Sequence, residues 1–127
     1  MSLGQYFKIS LKNGAGSSGT FVVTGRFWKY ASDGSLTYDS SETTLFSSAS
    51  IASGAWADGT AINNSSNLWT GCDLTVVCST SLAHLVTVQR KVSTDGGSTY
   101  PSDGYGIGVG SVYTSSAATP TASLKMV

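Results

Sequence analysis

Apolar residues return at every second position along much of this chain, and glycine and aspartate cut the runs short. Phe7, Ile9 and Leu11 alternate with Tyr6, Lys8, Ser10 and Lys12. That is the period of a strand with one face on a core. Phe21, Val23 and Phe27 share one face of the next run, and Trp28 and Tyr30 fall on the other, which predicts cover on both faces there. Helices lack raw material: Glu42 is the lone glutamate, and strong helix formers never cluster. Further strands are predicted at 36–38, 43–51 with Leu45 as its clearest core residue, 72–78, 84–92, 110–113 and 122–126. Between them lie turn signals such as Ser32-Asp33-Gly34-Ser35 and the glycine-punctuated stretch 53–59 that carries Trp56. About eight strands at this spacing predict an all-β fold, an antiparallel β-sandwich or jelly roll. No linker or shift in composition divides 1–127, so one domain is expected.

Charge is scarce, 11% of residues, with seven Lys+Arg balancing seven Asp+Glu. The 23 Ser and 15 Thr must cover the surface instead. Without clustered cations the chain is a poor partner for nucleic acid, whose binding rests on phosphate neutralisation. Arg90-Lys91 is the one adjacent basic pair and reads as an exposed strand end. Near-zero net charge removes self-repulsion, and burying hydroxyls costs less than burying ions, so both favour a homo-oligomer. Met1-Ser2-Leu3-Gly4 carries no export signature, and no apolar run reaches the roughly 18 residues of a membrane span. The acceptor patterns Asn63-Asn64-Ser65 and Asn64-Ser65-Ser66 are therefore read as a polar turn.

Cys72 and Cys78 lie six steps apart on one strand, roughly 20 Å, beyond the reach of a disulfide. They share a face with Leu74 and Val76, so two buried free thiols are expected, as suits assembly in a reducing cytoplasm. His84 is the only histidine and sits in an alternating run, where it reads as a sheet residue and not as a general base. Asp33, Asp58, Asp95 and Asp103 each precede glycine, and turn geometry explains them without a catalytic carboxylate pair. The glycine-rich stretch 104–110 lacks the Lys-Ser/Thr and the helix of a phosphate loop. No catalytic, metal or cofactor site emerges, and the chain is expected to be non-enzymatic. Trp56, Trp69 and Tyr105 are candidates for a contact surface, Trp56 foremost for its glycine-rich setting.

Ser93-Thr94-Asp95-Gly96-Gly97-Ser98-Thr99-Tyr100 is similar to the Asp-box pattern, S-x-D-x-G-x-T-W, with tyrosine in the last place. In sialidase-like propellers that motif staples hairpins away from the chemistry. The resemblance implies a hairpin held by Ser93, Asp95, Gly97, Thr99 and Tyr100. A longer stretch, from Ser48 to Gly110, resembles small virion proteins of tailed bacteriophages. It has a small-residue strand, Ser50-Ile51-Ala52-Ser53-Gly54-Ala55, then the strand 72–78 and a longer strand ending in Asp95-Gly96. The turn Pro101-Ser102-Asp103-Gly104 and a glycine-rich strand follow.

That resemblance implies a β-sandwich or jelly roll that decorates a capsid or belongs to a tail. The leading expectation is a capsid decoration, or cement, protein of the virion. Its partners would be the major capsid protein or other virion proteins, and by the same resemblance it would be a trimer. A tail or fibre component is the alternative within that class. A carbohydrate-binding module, with Trp56, Trp69 or Tyr105 as stacking platforms, is the alternative outside it.

Overall fold

A computed structural model of the chain describes residues 3–78, 85–101, 106–113 and 121–127. Among them are ten strands and no helix: β1 (Tyr6–Asn13), β2 (Gly19–Tyr30), β3 (Leu36–Tyr38), β4 (Thr43–Ile51), β5 (Trp56–Asp58), β6 (Ile62–Asn63), β7 (Gly71–Cys78), β8 (Leu85–Val92), β9 (Ile107–Tyr113) and β10 (Thr121–Met126). They form two antiparallel five-stranded sheets packed as a sandwich. In the first, β1 has β8 on one side; on the other it carries β6 along its first half and β5 along its second. β9 lies beyond β8. The second sheet is built the same way around β2. β7 flanks it on one side, and β4 and β3 share the other, against its first and last parts respectively. β10 lies beyond β7.

The two sheets meet along both sides. On one, the Thr60 N–H just after β5 donates to Leu45 O of β4 at 2.9 Å. On the other, Gly110 of β9 lies under the Leu124 side chain of β10. The facing pairs therefore run β4 with β5, β2 with β1, β7 with β8 and β10 with β9. A jelly roll has this same order of facing pairs, with its chain opened at a different connection.

The core follows the alternation. Phe7, Ile9 and Leu11 of β1, Phe21, Val23 and Phe27 of β2, and Cys72, Leu74, Val76 and Cys78 of β7 are all buried, joined by Val86 and Val88 of β8. Leu45 and Phe46 are neighbours in sequence and both buried, because the register of β4 on β2 slips between Val23 and Thr24 and turns both inward. Gly25 continues the inner row of β2. A Cβ there would stand 2.4 Å from Cys72 Sγ and 2.8 Å from Leu45 Cδ1. The missing side chain is the room those two residues fill.

Three expectations need correction. The ten strands exceed the expected eight or so by β5 and β6, which are three and two residues long and too short to show a period. Trp28 is buried, but Tyr30 is 61% exposed. Its stretch of β2 runs past the last β7 partner at Trp28, and among the described residues β3 alone pairs with it. Arg90-Lys91 is not an exposed end: Arg90 is 5% and Lys91 3% exposed. Arg90 follows Val86 and Val88 on the inner row and donates from Nη1 to Val127 O at 3.0 Å. Lys91 points to the outer face, where Asp58 holds its ammonium at 2.8 Å. His84 and Tyr105 lie outside the described residues.

The thiols are free and buried as expected. Burial, with help from the neighbouring Asp73 charge, pushes the Cys72 thiol up to about 12. Titration with a thiol reagent at pH 8 should therefore find two groups in denaturant and neither in the native protein. Gly25→Ala should cost about 1–3 kcal/mol, the range for an added methyl in a filled core. Urea denaturation measures it, and an unchanged midpoint would show that Cys72 and Leu45 are not packed as described.

Candidate functional site

Three surface constellations carry the polar and aromatic side chains. The first is the segment after β8. Ser93 Oγ donates to Asp95 Oδ1 at 2.6 Å and accepts from the Gly97 N–H at 2.8 Å. Asp95 accepts from the Ser98 and Thr99 N–H groups at 3.1 and 2.9 Å, and from the Thr99 hydroxyl at 2.5 Å. The Ser93 and Thr99 hydroxyls and these backbone donors hold the Asp95 carboxyl well below its usual range. Gly97 is required twice over: its φ is +93°, and a Cβ would stand 3.2 Å from the Tyr6 ring. Ser93, Asp95, Gly97 and Thr99 thus all serve the turn. Tyr100, the last, receives the Lys8 ammonium 4.6 Å from its ring centroid.

Beside this turn, on the outer face of β1, β5 and β8, lies an ion cluster. Lys8 and Lys91 are directly opposite each other across strands, and Asp58 lies opposite Ser10 on β5. The carboxylate bridges the two ammoniums, 2.8 Å to each. Burial pushes the Asp58 carboxyl up, but hydrogen bonds from Lys8, Lys91 and Ser10 outweigh it and hold it below the ordinary 3.8. Asp58 is therefore a strand residue in an ion pair and not the turn residue its sequence context implied. The glycine after it is there for space, since Gly59 lies against the Leu45 carbonyl. Trp56 sits on the same outer face, opposite Lys12, and is half-buried.

The second constellation is the 64–69 loop at one end of the sandwich. Asn64 is 2% exposed, and both its amide protons are used, on Gly4 O at 3.1 Å and Trp69 O at 3.0 Å. Its Oδ1 accepts from the Trp69 N–H at 2.8 Å. This amide is an internal staple and has no room for a glycan. Trp69 packs on the core, stacked on Phe27 at 6.1 Å and 22°. The Lys29 ammonium lies 4.8 Å from its centroid. Phe27 and Lys29 thus both contact the Trp69 ring, which is half-buried.

The third lies on the outer face of the second sheet. Tyr38 on β3 and Asp73 on β7 flank β2 from opposite sides, in register with Trp28 and Arg26. The Tyr38 hydroxyl nevertheless reaches Asp73 Oδ2 at 3.3 Å. Its ring must therefore lie across β2, and it is 43% exposed. Arg26 turns away from its cross-strand neighbour Asp73 and donates to Asp39 O at 3.3 Å. Asp73 Oδ1 is shielded and has no hydrogen bond among the described residues; Lys125 Nζ is 3.8 Å from it. Trp28 lies on Gly71, whose Cβ would fall 2.1 Å from the indole, and meets Tyr30 edge-on at 5.8 Å. One rung along, Thr44, Thr24, Thr75 and Ser123 stand in register across four strands.

The structure thus separates the predicted contact residues: Trp56 on the face of one sheet, Trp69 at an end, and Tyr105 outside the described residues. The Tyr38–Asp73 pair was missed. Each residue is isolated in sequence, and only the β3–β2–β7 register brings them together. Among the described residues no three His, Cys, Asp or Glu side chains gather as a metal ion would require. Comparison with protein-family models, curated proteins and solved structures returns no match to this chain.

Asp58→Asn leaves two ammoniums, one almost fully buried, facing a neutral amide. It should cost about 1–2 kcal/mol, less than a fully buried pair because water screens the exposed part of Asp58. The folded pKa lies below the ordinary 3.8. The contribution is thus present above that pH and lost as pH falls through the folded value. Urea midpoints of wild type and variant should differ at pH 7 and converge in acid; a gap that persists at pH 2 would refute the ion-pair origin.

Proposed function

We propose that this chain is a non-enzymatic structural protein of a tailed-phage virion, a decoration or cement protein that docks on the outer capsid surface as a trimer. The observation that carries the reading is the outer edge of β4. Strand β4 pairs with β2 on one side and, among the described residues, has no strand partner on the other. Its nine residues, TTLFSSASI, contain no charge and no proline. Native edges are normally guarded by lysine, proline or a covering segment, because unpaired N–H and C=O groups recruit other strands. Here Thr60 ties down one carbonyl, at Leu45, and Ser47, Ala49 and Ser50 are exposed. A groove of about 260 Å³ runs beside that edge, lined by Phe46, Ser47, Ala49, Ala57, Asp58, Gly59 and Thr60. Such an edge suits a subunit that is covered once assembled, by another copy or by the shell.

Two further points support it. With charges so few, docking strips little hydration from ions. The resemblance of 48–110 to small phage virion proteins supplies the partner class, and threefold positions on icosahedral shells supply the trimer. A tail location would use the same edge.

The test adds purified chain to capsids that lack it and follows their thermal rupture. Binding with a raised rupture temperature is expected. Ala49→Lys, which places a guard on the edge, should abolish both while leaving the monomer's unfolding midpoint within about 0.5 kcal/mol of wild type. A chain that neither binds the shell nor shifts its rupture sinks the cement reading.

A further inference from the structure

We infer that the outer face of β3, β2, β7 and β10 is a binding site for a pyranose oligosaccharide, centred on Tyr38 and Asp73. It is separate from the β4 edge and does not rest on the capsid reading. A pyranose presents two chemistries at once. Its axial C–H groups form an apolar, partly positive patch that packs on the negative face of an aromatic ring. Its hydroxyls, at the rim, need donors and acceptors fixed at hydrogen-bond distance.

Tyr38 meets the first need. Its ring reaches across β2 with 43% exposure, pinned at its far end by Asp73. A ring fixed in this way loses little freedom when a sugar stacks on it. Tyr30, 61% exposed and held edge-on by Trp28, extends the aromatic surface beyond it. The second need is met next door. A depression of about 340 Å³ is lined by Asp73, Leu74, Thr75, Ser123, Leu124 and Lys125. That volume falls in the range of small-molecule sites, roughly 300–1,000 Å³.

Asp73 Oδ1 accepts no hydrogen bond from the described residues and faces the depression as an available acceptor. Lys125 Nζ lies 3.8 Å from it on a side chain that is 78% exposed and able to turn aside. A sugar hydroxyl can donate to Oδ1, with Lys125 donating to the next oxygen. The rung of Thr44, Thr24, Thr75 and Ser123 continues the polar surface at the strand spacing of roughly 4.8 Å. A protein-binding patch of this size has a different composition, with aromatics at its centre and charges depleted. Here the exposed rings stand beside a carboxylate, an ammonium and a row of hydroxyls.

The experiment is affinity electrophoresis of the full chain through gels holding one of four polysaccharides: a β-1,4-glucan, an α-1,4-glucan, glycol chitin and a bacterial O-polysaccharide. Retardation by at least one is expected, followed by titration of tryptophan fluorescence with oligomers of that polymer. Tyr38→Ala should weaken binding about tenfold or more, the worth of one stacked ring. Tyr38→Phe, which keeps the ring, should hold most of it. Asp73→Asn, which keeps the aromatic ring and an oxygen for the Tyr38 hydroxyl, should also weaken binding, which covers the case in which Tyr38→Ala loses its fold. Trp56→Ala, on the other sheet, should bind as wild type. No retardation in any of the four gels overturns the site, and so does equal retardation of folded Tyr38→Ala and wild type. If no gel retards the chain and Tyr38→Ala loses attachment to capsids, the face is a protein contact: the sugar site falls and the capsid reading stands.

Discussion

The ladder between β2 and β7 sets most of this molecule. It runs from Phe21 opposite Cys78 to Trp28 opposite Gly71, and its register decides what each face shows. Inward it stacks Phe21, Val23 and Phe27 against Cys72, Leu74 and Val76. Outward it puts Thr24 beside Thr75, Arg26 beside Asp73 and Trp28 on Gly71. A slip of one residue would exchange the two faces entirely. Gly25 and Gly71 make the register self-selecting. Each leaves a gap shaped for one neighbour, Cys72 with Leu45 in one case and the Trp28 indole in the other. Shifted pairings would set side chains against those gaps and leave the indole without its seat.

Ions have been used sparingly and in unexpected places. In a chain with so little charge, Arg90 and Lys91 are both buried, one on each face of β8. Lys91 is neutralised by Asp58, which it shares with Lys8. Three groups from three strands are thus tied at one point on the outer face of the first sheet, next to the Ser93–Tyr100 turn. That corner is rigid by construction, with an ion bridge, a cation over Tyr100 and a turn saturated with hydrogen bonds. It has the makings of a scaffold and shows no open ligand position.

Much of the fold was legible in the sequence because alternation encodes burial directly. Phe7, Ile9 and Leu11, or Cys72 through Cys78, needed only a period of two to be placed. Leu45 was read as the core residue of a weak strand and is fully buried, but its neighbour Phe46 was not foreseen, since a bulge breaks the period. Short strands such as β5 and β6 leave no period at all. The side-chain sites were harder. Asp58 followed by glycine looks like a turn, and only its pairing with Ser10 shows otherwise. Tyr38 and Asp73 lie far apart along the chain, and their meeting depends on a two-strand crossing that no local pattern records. Trp69 stands out in the sequence as a large aromatic, but its packing on Phe27 and Lys29 needs the fold to be seen.

The order of strands also bears on how the chain reaches this state in time. Among the described strands, only the β2–β3 and β8–β9 pairings join neighbours in sequence; the central ladders join Phe7 to Val92 and Phe21 to Cys78. Closing those large loops costs entropy before any core contact repays it. Such topologies fold in milliseconds to seconds, slowly for a chain this small. During that interval the uncharged β4 segment has no β2 to pair with, and both of its edges are open. Newly made copies in a crowded cell would meet through it before each has closed its own sandwich. Synthesis rate and local concentration, as much as final stability, then govern how much chain escapes into aggregates.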